Sequence, residues 1–274
     1  MKALALITVL VACGSDPHSP DAAVVVHDAA HDAGPDAPAD APIDAAVGPA
    51  IGMIEVSQGI GNGSAASSAD ASFGTTTVFG PVVGTDGPCT IYGLAQNPPR
   101  FSAGAITITG TASAITLNPT GTAPNVSYSP AATVPKPAFT AGATLTFTGA
   151  GGPDVGAFTA TVTAPETLAG FTPPTTISRA GYTATWTAGT ATTMWVIMAA
   201  FDPMSGDGNG VICRVGDTGS FTIPASTFAM VPASATDGFV GIGRVSPTTM
   251  TVGSTMVTVQ AVSYITSGQV TITN

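Results

Sequence analysis

The sequence predicts an all-β protein, an antiparallel β-sandwich preceded by a disordered tether. Three observations point there. From Ile51 onward Thr, Val and Ile supply about a third of the residues, and β-branched side chains suit a pleated, half-buried surface. In the same region Leu occurs only at 94, 117, 145 and 168, Lys once and Glu twice, so helix formers other than Ala are scarce. Finally, apolar and Thr positions alternate with period two between Gly- and Pro-containing turns.

The runs follow in order. Ile106 and Ile108 oppose Thr107 and Thr109. Leu145 and Phe147 oppose Thr144, Thr146 and Thr148. Phe158, Ala160 and Val162 oppose Thr159, Thr161 and Thr163. Tyr182, Ala184 and Trp186 oppose Thr183, Thr185 and Thr187. Val257, Val259 and Ala261 oppose Thr258 and Gln260, and Val270 and Ile272 oppose Thr271 and Thr273. One apolar face and one Thr face mark antiparallel sheets buried on a single side. Gly151-Gly152-Pro153-Asp154, Pro173-Pro174 and Asp207-Gly208-Asn209-Gly210 supply turns. Met194–Phe201 is apolar at both parities and predicts a strand covered on two sides.

A Pro-containing stretch without alternation, Ala164 to Ala180, divides the folded region into residues 51–164 and 165–274. Each part is near the size of an immunoglobulin-like domain. The second resembles an immunoglobulin or fibronectin type III sandwich in architecture, although the Cys…Trp…Cys spacing of antibody domains is absent. The expectation is one large sandwich or two tightly docked ones. An outer-membrane barrel fits less well. The runs are shorter than the nine to eleven or so residues of a spanning strand. Aromatics are too few for girdles, and residue 274 is Asn rather than an aromatic.

The N-terminus reads as an address. Met1-Lys2 precedes the apolar run Ala3–Ala12 and then Cys13, the layout of an export signal too short to span a bilayer. Leu10-Val11-Ala12-Cys13 resembles the lipobox of bacterial lipoproteins. The resemblance implies a signal peptide at 1–12 and a Cys13 carrying a diacylglyceryl thioether, usually with a third chain (palmitate or similar) on its amine. Two or more acyl chains anchor stably. Gly14 follows, where Asp resembles an inner-membrane retention signal, so the expected location is the outer membrane or cell surface of a Gram-negative bacterium.

Residues 13–50 contain Asp-Ala at 28, 32, 36, 40 and 44. A helix would stack these charges at i,i+4, and Pro35, Pro38 and Pro42 would break it. No aromatic precedes Phe73, so the segment is expected to be a disordered acidic spacer. Its 37 residues after Cys13 would reach roughly 110 Å fully extended and about 35 Å as a coil. His27 and His31 beside Asp28 and Asp32 read as solvated charge, because a metal site needs a fixed second shell.

Net charge is −10 with six Lys and Arg, which excludes nucleic acid as a partner. With Cys13 lipidated, Cys89 and Cys213 remain, both on the apolar parity of their strands. A bridge between them is expected in an envelope compartment, the alternative being two separate buried thiols. Two Cys without a nearby His fall short of a zinc site, and no cofactor is expected.

Catalytic motifs are sparse. No His follows residue 31, which removes Ser-His-Asp and Cys-His arrangements from the folded region. Asp217-Thr218-Gly219-Ser220 resembles the Asp-Thr-Gly of aspartic proteases. Its partner motif is missing, so a dyad would need two chains, and Arg214 and Gly216 interrupt the apolar flank. The better reading is a turn entering a strand with Phe221 and Ile223 inward. Asp202–Gly210 loosely resembles a calcium loop with Asp202, Asp207 and Asn209 as candidate ligands, but with Ser205, Asp207 and Asn209 at positions 1, 3 and 5 Gly216 stands at position 12, where a bidentate Glu belongs, and a hairpin turn fits better. Arg100, Arg179, Arg214 and Arg244 are candidates for pairing with Asp154, Asp202 or Asp217, with no spacing to assign them.

The expectation is a membrane-anchored, surface-displayed, non-enzymatic lipoprotein with a structural, adhesive or protein- or glycan-binding role. A hydrolase using Asp217 is one alternative. A carbohydrate-binding module is the other, with Tyr92, Tyr128 and Tyr264 as scattered aromatic candidates.

Overall fold

A computed structural model describes residues 50–75, 80–93 and 98–274. The signal, Cys13 and the acidic tether lie outside the described residues. The regular structure is nearly all strand (56% strand against 2% helix), arranged as a curled twelve-stranded sheet and a five-stranded sheet.

The first two strands, β1 (Ile51–Gly61) and β2 (Ser64–Gly74), form a hairpin. Asn62 (φ 48°) and Gly63 (φ 74°) make its turn, the pair of left-handed residues that a tight type I′ connection requires. A second hairpin joins β3 (Val82–Asp86) to β4 (Cys89–Tyr92).

The small sheet follows: β5 (Ile106–Thr109), β6 (Ile115–Thr120), β7 (Ser127–Pro130), β8 (Thr144–Gly149) and β9 (Phe158–Thr163), in the order β7-β6-β5-β8-β9, all antiparallel. Its alternation is the one predicted. Ile106, Ile108, Ile115, Leu117, Leu145, Phe147 and Val162 are buried, while Thr outward positions such as Thr144, Thr148 and Thr163 are exposed.

The chain then crosses to β10 (Thr176–Ser178), β11 (Gly181–Thr185), β12 (Thr193–Phe201), β13 (Gly208–Val215) and β14 (Ser220–Pro224). A single-turn helix α1 (Ala225–Phe228) leads to β15 (Asp237–Val252), β16 (Thr255–Thr266) and β17 (Val270–Thr273). β15 is long enough to pair with β12 over Asp237–Val245 and with β16 over Gly241–Val252. It thereby joins two parts of the large sheet.

Two pairings depart from the antiparallel expectation. β1 lies parallel to β16 along its whole length, Ile51 opposite Met256 through Gly61 opposite Thr266, and β10 lies parallel to β17. Alternation encodes which face is buried and is blind to strand direction, so the run Val257–Ala261 carried no sign of a parallel partner about 200 residues upstream.

Strands from both sides of the Ala164–Ala180 stretch share the large sheet. β1 and β2 extend it beyond β16, while β4 pairs with β13. One apolar cluster lies between the β2-β1-β16 region and the small sheet, with Ile54, Val56, Phe73, Val257 and Val259 against Ile106, Phe147 and Phe158. A second fills the curl of the remaining strands, where Met194, Val196, Met198 and Cys213 meet Ile177, Ala184, Ile223 and Ile272. The opposite face of β12 carries Trp195 and Ile197 in a third cluster with Tyr92, Ile212, Val262 and Tyr264. The β12 strand is thus buried on both sides.

The path β14-β11-β10-β17-β15-β12-β13-β4-β3 curls far enough that its two ends meet at α1. Asp86, on β3, accepts hydrogen bonds from Ser226 Oγ (2.6 Å) and Thr227 Oγ1 (2.7 Å) of α1, directly after β14. Arg179 secures the segment that follows by donating to the carbonyls of Phe228, Val231, Pro232 and Ala235.

Candidate functional site

Cys89 and Cys213 stand directly opposite one another on β4 and β13 and form a disulfide. Both are fully buried in the second apolar cluster. The bridge spans 124 residues of sequence, so in the chain-entropy description it removes about 5 kcal/mol of freedom from the unfolded chain.

The Asp202–Asp207 segment is the β12–β13 hairpin connection. Asp202 Oδ1 accepts the backbone N–H groups of Met204 (2.8 Å) and Ser205 (3.3 Å), the side-chain capping of a turn. Asn209 Nδ2 donates to the Met230 carbonyl at 3.0 Å. Asn209 therefore turns to the segment after α1. Among the described residues no three His, Cys, Asp or Glu side chains gather into a metal-binding group.

Asp217 is enclosed. Its Oδ1 accepts from Trp186 Nε1 at 2.7 Å and its Oδ2 from Arg244 Nε at 2.8 Å, with side-chain exposures of 1% and 3% for Asp217 and Arg244. Burial alone would raise the Asp217 pKa. The hydrogen bonds from Arg244 and Trp186, with the Gly189 N–H and the Arg244 charge, outweigh it and hold the carboxyl below its ordinary value. This carboxylate is ionised with both oxygens occupied, and its chemistry is that of a buried structural pair.

The same arginine belongs to a feature that sequence reading left out. Register places Ser67, Gln58, Ser263 and Arg244 in one row across β2, β1, β16 and β15. The row separates two apolar regions of one sheet face, with Val56, Ala69 and Ala261 on one side and Ile242 and Ile265 on the other. Each of three members holds a crossing segment by its backbone. Gln58 Oε1 accepts the Phe139 N–H at 3.0 Å and Ser263 Oγ accepts the Leu168 N–H at 3.0 Å. Arg244 donates to the carbonyls of Thr167 (2.8 Å) and Thr187 (2.6 Å). The fourth differs: Ser67 Oγ is buried and has no hydrogen-bond partner.

Above the β2 end of this row lies a pocket of about 250 Å³. Ser67, Gln58 and Ser263 line it from the large sheet, Lys136 and Pro137 from the β7–β8 connection, and Leu168 from the crossing to β10. Three separate segments converge on it, which makes it a candidate site. Gly59, also at the pocket, is required by close approach, because a Cβ there would lie 1.9 Å from the Tyr264 carbonyl oxygen.

On the reverse face of the same strands, Asp70, Glu55 and Gln260 form a second row. Gln260 Nε2 donates to Glu55 Oε2 at 2.6 Å. Burial pushes the Glu55 pKa up to about 7; the Gln260 hydrogen bond opposes this and the Asp70 charge adds to it. Burial, with a smaller contribution from the Glu55 charge, raises Tyr264 to about 12. Ile54-Glu55-Val56-Ser57 alternates as a strand with one wet face does, so nothing in the sequence marks Glu55 and Ser57 as buried.

Of the three tyrosines considered for glycan stacking, Tyr92 and Tyr264 are buried. Tyr128 is half-buried, and its hydroxyl accepts the Ala103 N–H and donates to the Gly104 carbonyl. Neither buried ring offers a stacking face to solvent.

No protein-family model, curated protein or solved structure matches the chain.

Proposed function

We propose that the protein is an acyl-anchored envelope lipoprotein whose β-rich head serves a structural, adhesive or binding role. The observation that carries this reading is the pairing of Cys89 with Cys213. A buried disulfide belongs to an oxidising compartment. The third cysteine of the sequence is Cys13, at the end of Leu10-Val11-Ala12-Cys13, where a lipobox places its acylated residue. The 37 residues between Cys13 and Ile51 then act as a spacer holding the head off the outer membrane or cell surface. A membrane is the partner at one end, and a surface protein or glycan at the other.

The edge strand β3 supports a protein partner. Val82 and Val83 are 57% and 55% exposed, β3 carries no Lys or Arg, and among the described residues β4 is its only strand neighbour. Such an edge accepts an added strand. We assign no catalytic role to Asp217, whose two oxygens are committed to Trp186 and Arg244.

The test is Cys13→Ser with membrane fractionation and intact-mass analysis. The expected result is release into the soluble fraction and loss of a diacylglyceryl mass increment on a terminus at Cys13. An unprocessed Met1 terminus on the wild-type protein, or unchanged fractionation of the variant, overturns the anchor.

A further inference from the structure

We propose that the pocket at the β2 end of the polar row binds a small monocarboxylate with a short apolar tail. The first reason is the cation. Lys136 is the one lysine of residues 50–274, it is exposed at the pocket, and among the described residues it has no carboxylate within ion-pairing distance. The four arginines are engaged elsewhere: Arg244 with Asp217, Arg179 with carbonyls, Arg100 with Ser72, and Arg214 over the Trp195 ring at 5.8 Å.

The second reason is Ser67, whose buried hydroxyl lacks a partner while lining this cavity. A buried polar group left unsatisfied is costly, and native structures supply a partner through protein, water or ligand. A rotation about the Ser67 Cα–Cβ bond, which the missing partner leaves unopposed, would turn this buried hydroxyl toward an oxygen of a bound carboxylate. The third is the rest of the lining, where Ile60, Leu168 and Ile265 offer apolar surface. Ile60 is a large hydrophobic residue left 44% exposed.

Size narrows the class to small ligands: the pocket offers about 250 Å³, and a six-carbon carboxylate is a short-chain representative. Such a ligand would touch all three converging segments, so binding should raise the stability of the head. The inference gives the binding role proposed above a ligand class. It stands or falls separately from the anchor, since the anchor is read by fractionation and the pocket by titration.

The experiment titrates the whole protein with sodium hexanoate by calorimetry and thermal shift, with hexan-1-ol and acetate as comparison probes. Hexanoate is expected to bind saturably at one site, with hexanol and acetate each at least about tenfold weaker, as loss of a charge-assisted hydrogen bond or of the apolar tail predicts. Lys136→Ala should bring hexanoate to the level of hexanol without changing the melting temperature of the free protein. Ser67→Ala should weaken hexanoate about threefold while leaving the free protein as stable or more so, because the hydroxyl it removes has no partner. Absence of saturable hexanoate binding, equal binding of hexanol and hexanoate, or wild-type affinity in Lys136→Ala would each overturn the proposal.

Discussion

Asp86 and Thr227 join the two ends of a nine-strand path, the carboxylate on β3 accepting the hydroxyl of α1 at 2.7 Å. Hydrogen bonds from Ser226 and then Thr227 hold the Asp86 carboxyl below its ordinary pKa of 3.8, against a smaller effect of burial. The unfolded chain therefore takes up this proton more readily. The contact contributes above about pH 4 and is lost as the pH falls. Asp86→Ala should raise hydrogen exchange in α1 and β3 while leaving the small sheet protected, and mass-spectrometric exchange at peptide resolution reads this directly.

The Asp217–Arg244 pair makes a larger prediction. Asp217→Asn leaves a buried guanidinium with two carbonyl partners and, among the described residues, no carboxylate within ion-pairing distance. Removing one partner of a buried pair costs about 3–5 kcal/mol, so the urea midpoint should fall well below wild type. Because the Asp217 pKa is held below 3.8, the wild-type protein should also lose this contribution on acidification below about pH 4. The variant should show a flatter acid limb.

Glu55 has the opposite sign. Its pKa rises from 4.5 to about 7 in the folded protein, so the native state holds the proton more tightly than the unfolded chain. Stability from this group is fully present below about pH 4.5 and declines as the pH rises through 7. It is flat above that. The total decline is of order 3 kcal/mol. Glu55→Gln should remove the decline and raise the melting temperature at pH 8, as a pH series of thermal melts would show.

The disulfide can be removed without altering the surface. Cys89→Ala with Cys213→Ala should lower the unfolding free energy by about 3–5 kcal/mol. Most of the effect should disappear when the comparison is made with the reduced wild-type protein.

Gln58→Leu probes the polar row. The Phe139 amide loses its acceptor, and an unsatisfied buried N–H costs about 1–3 kcal/mol. Exchange at Phe139 should quicken while the Leu168 amide, held by Ser263, keeps its protection.

How far the fold could be read in advance follows from what alternation reports. Three of the five strands of the small sheet, β5, β8 and β9, were legible, because Ile106, Leu145, Phe147 and Phe158 face a single core and most of their Thr neighbours face water, whereas the runs in β6 and β7 are cut short by Pro. β1 and β2 were not. They are buried on both faces, and small or polar residues such as Ser57, Ala69 and Ser72 fill core positions, so burial there does not follow hydropathy. The cysteine pair was legible through strand parity, whereas Lys136, Ser67 and Gln58 are far apart in sequence and carry no shared motif. Only the β1–β16 register and the placement of the β7–β8 connection bring them together.

The parallel docking of β1 on β16 also governs when the native state becomes available. A nascent chain presents the Ile51–Gly74 hairpin early, yet the neighbour that completes it runs from Thr255 to Thr266. Until residue 266 has left the ribosome, the hairpin keeps an unpaired border and the first apolar cluster lacks Val257, Val259 and Ala261. Folding must then await synthesis rather than accompany it, and pairings so distant along the chain assemble slowly. The long strand β16 is thus the piece whose arrival closes the first core, and the chain ahead of it stays pliable until then.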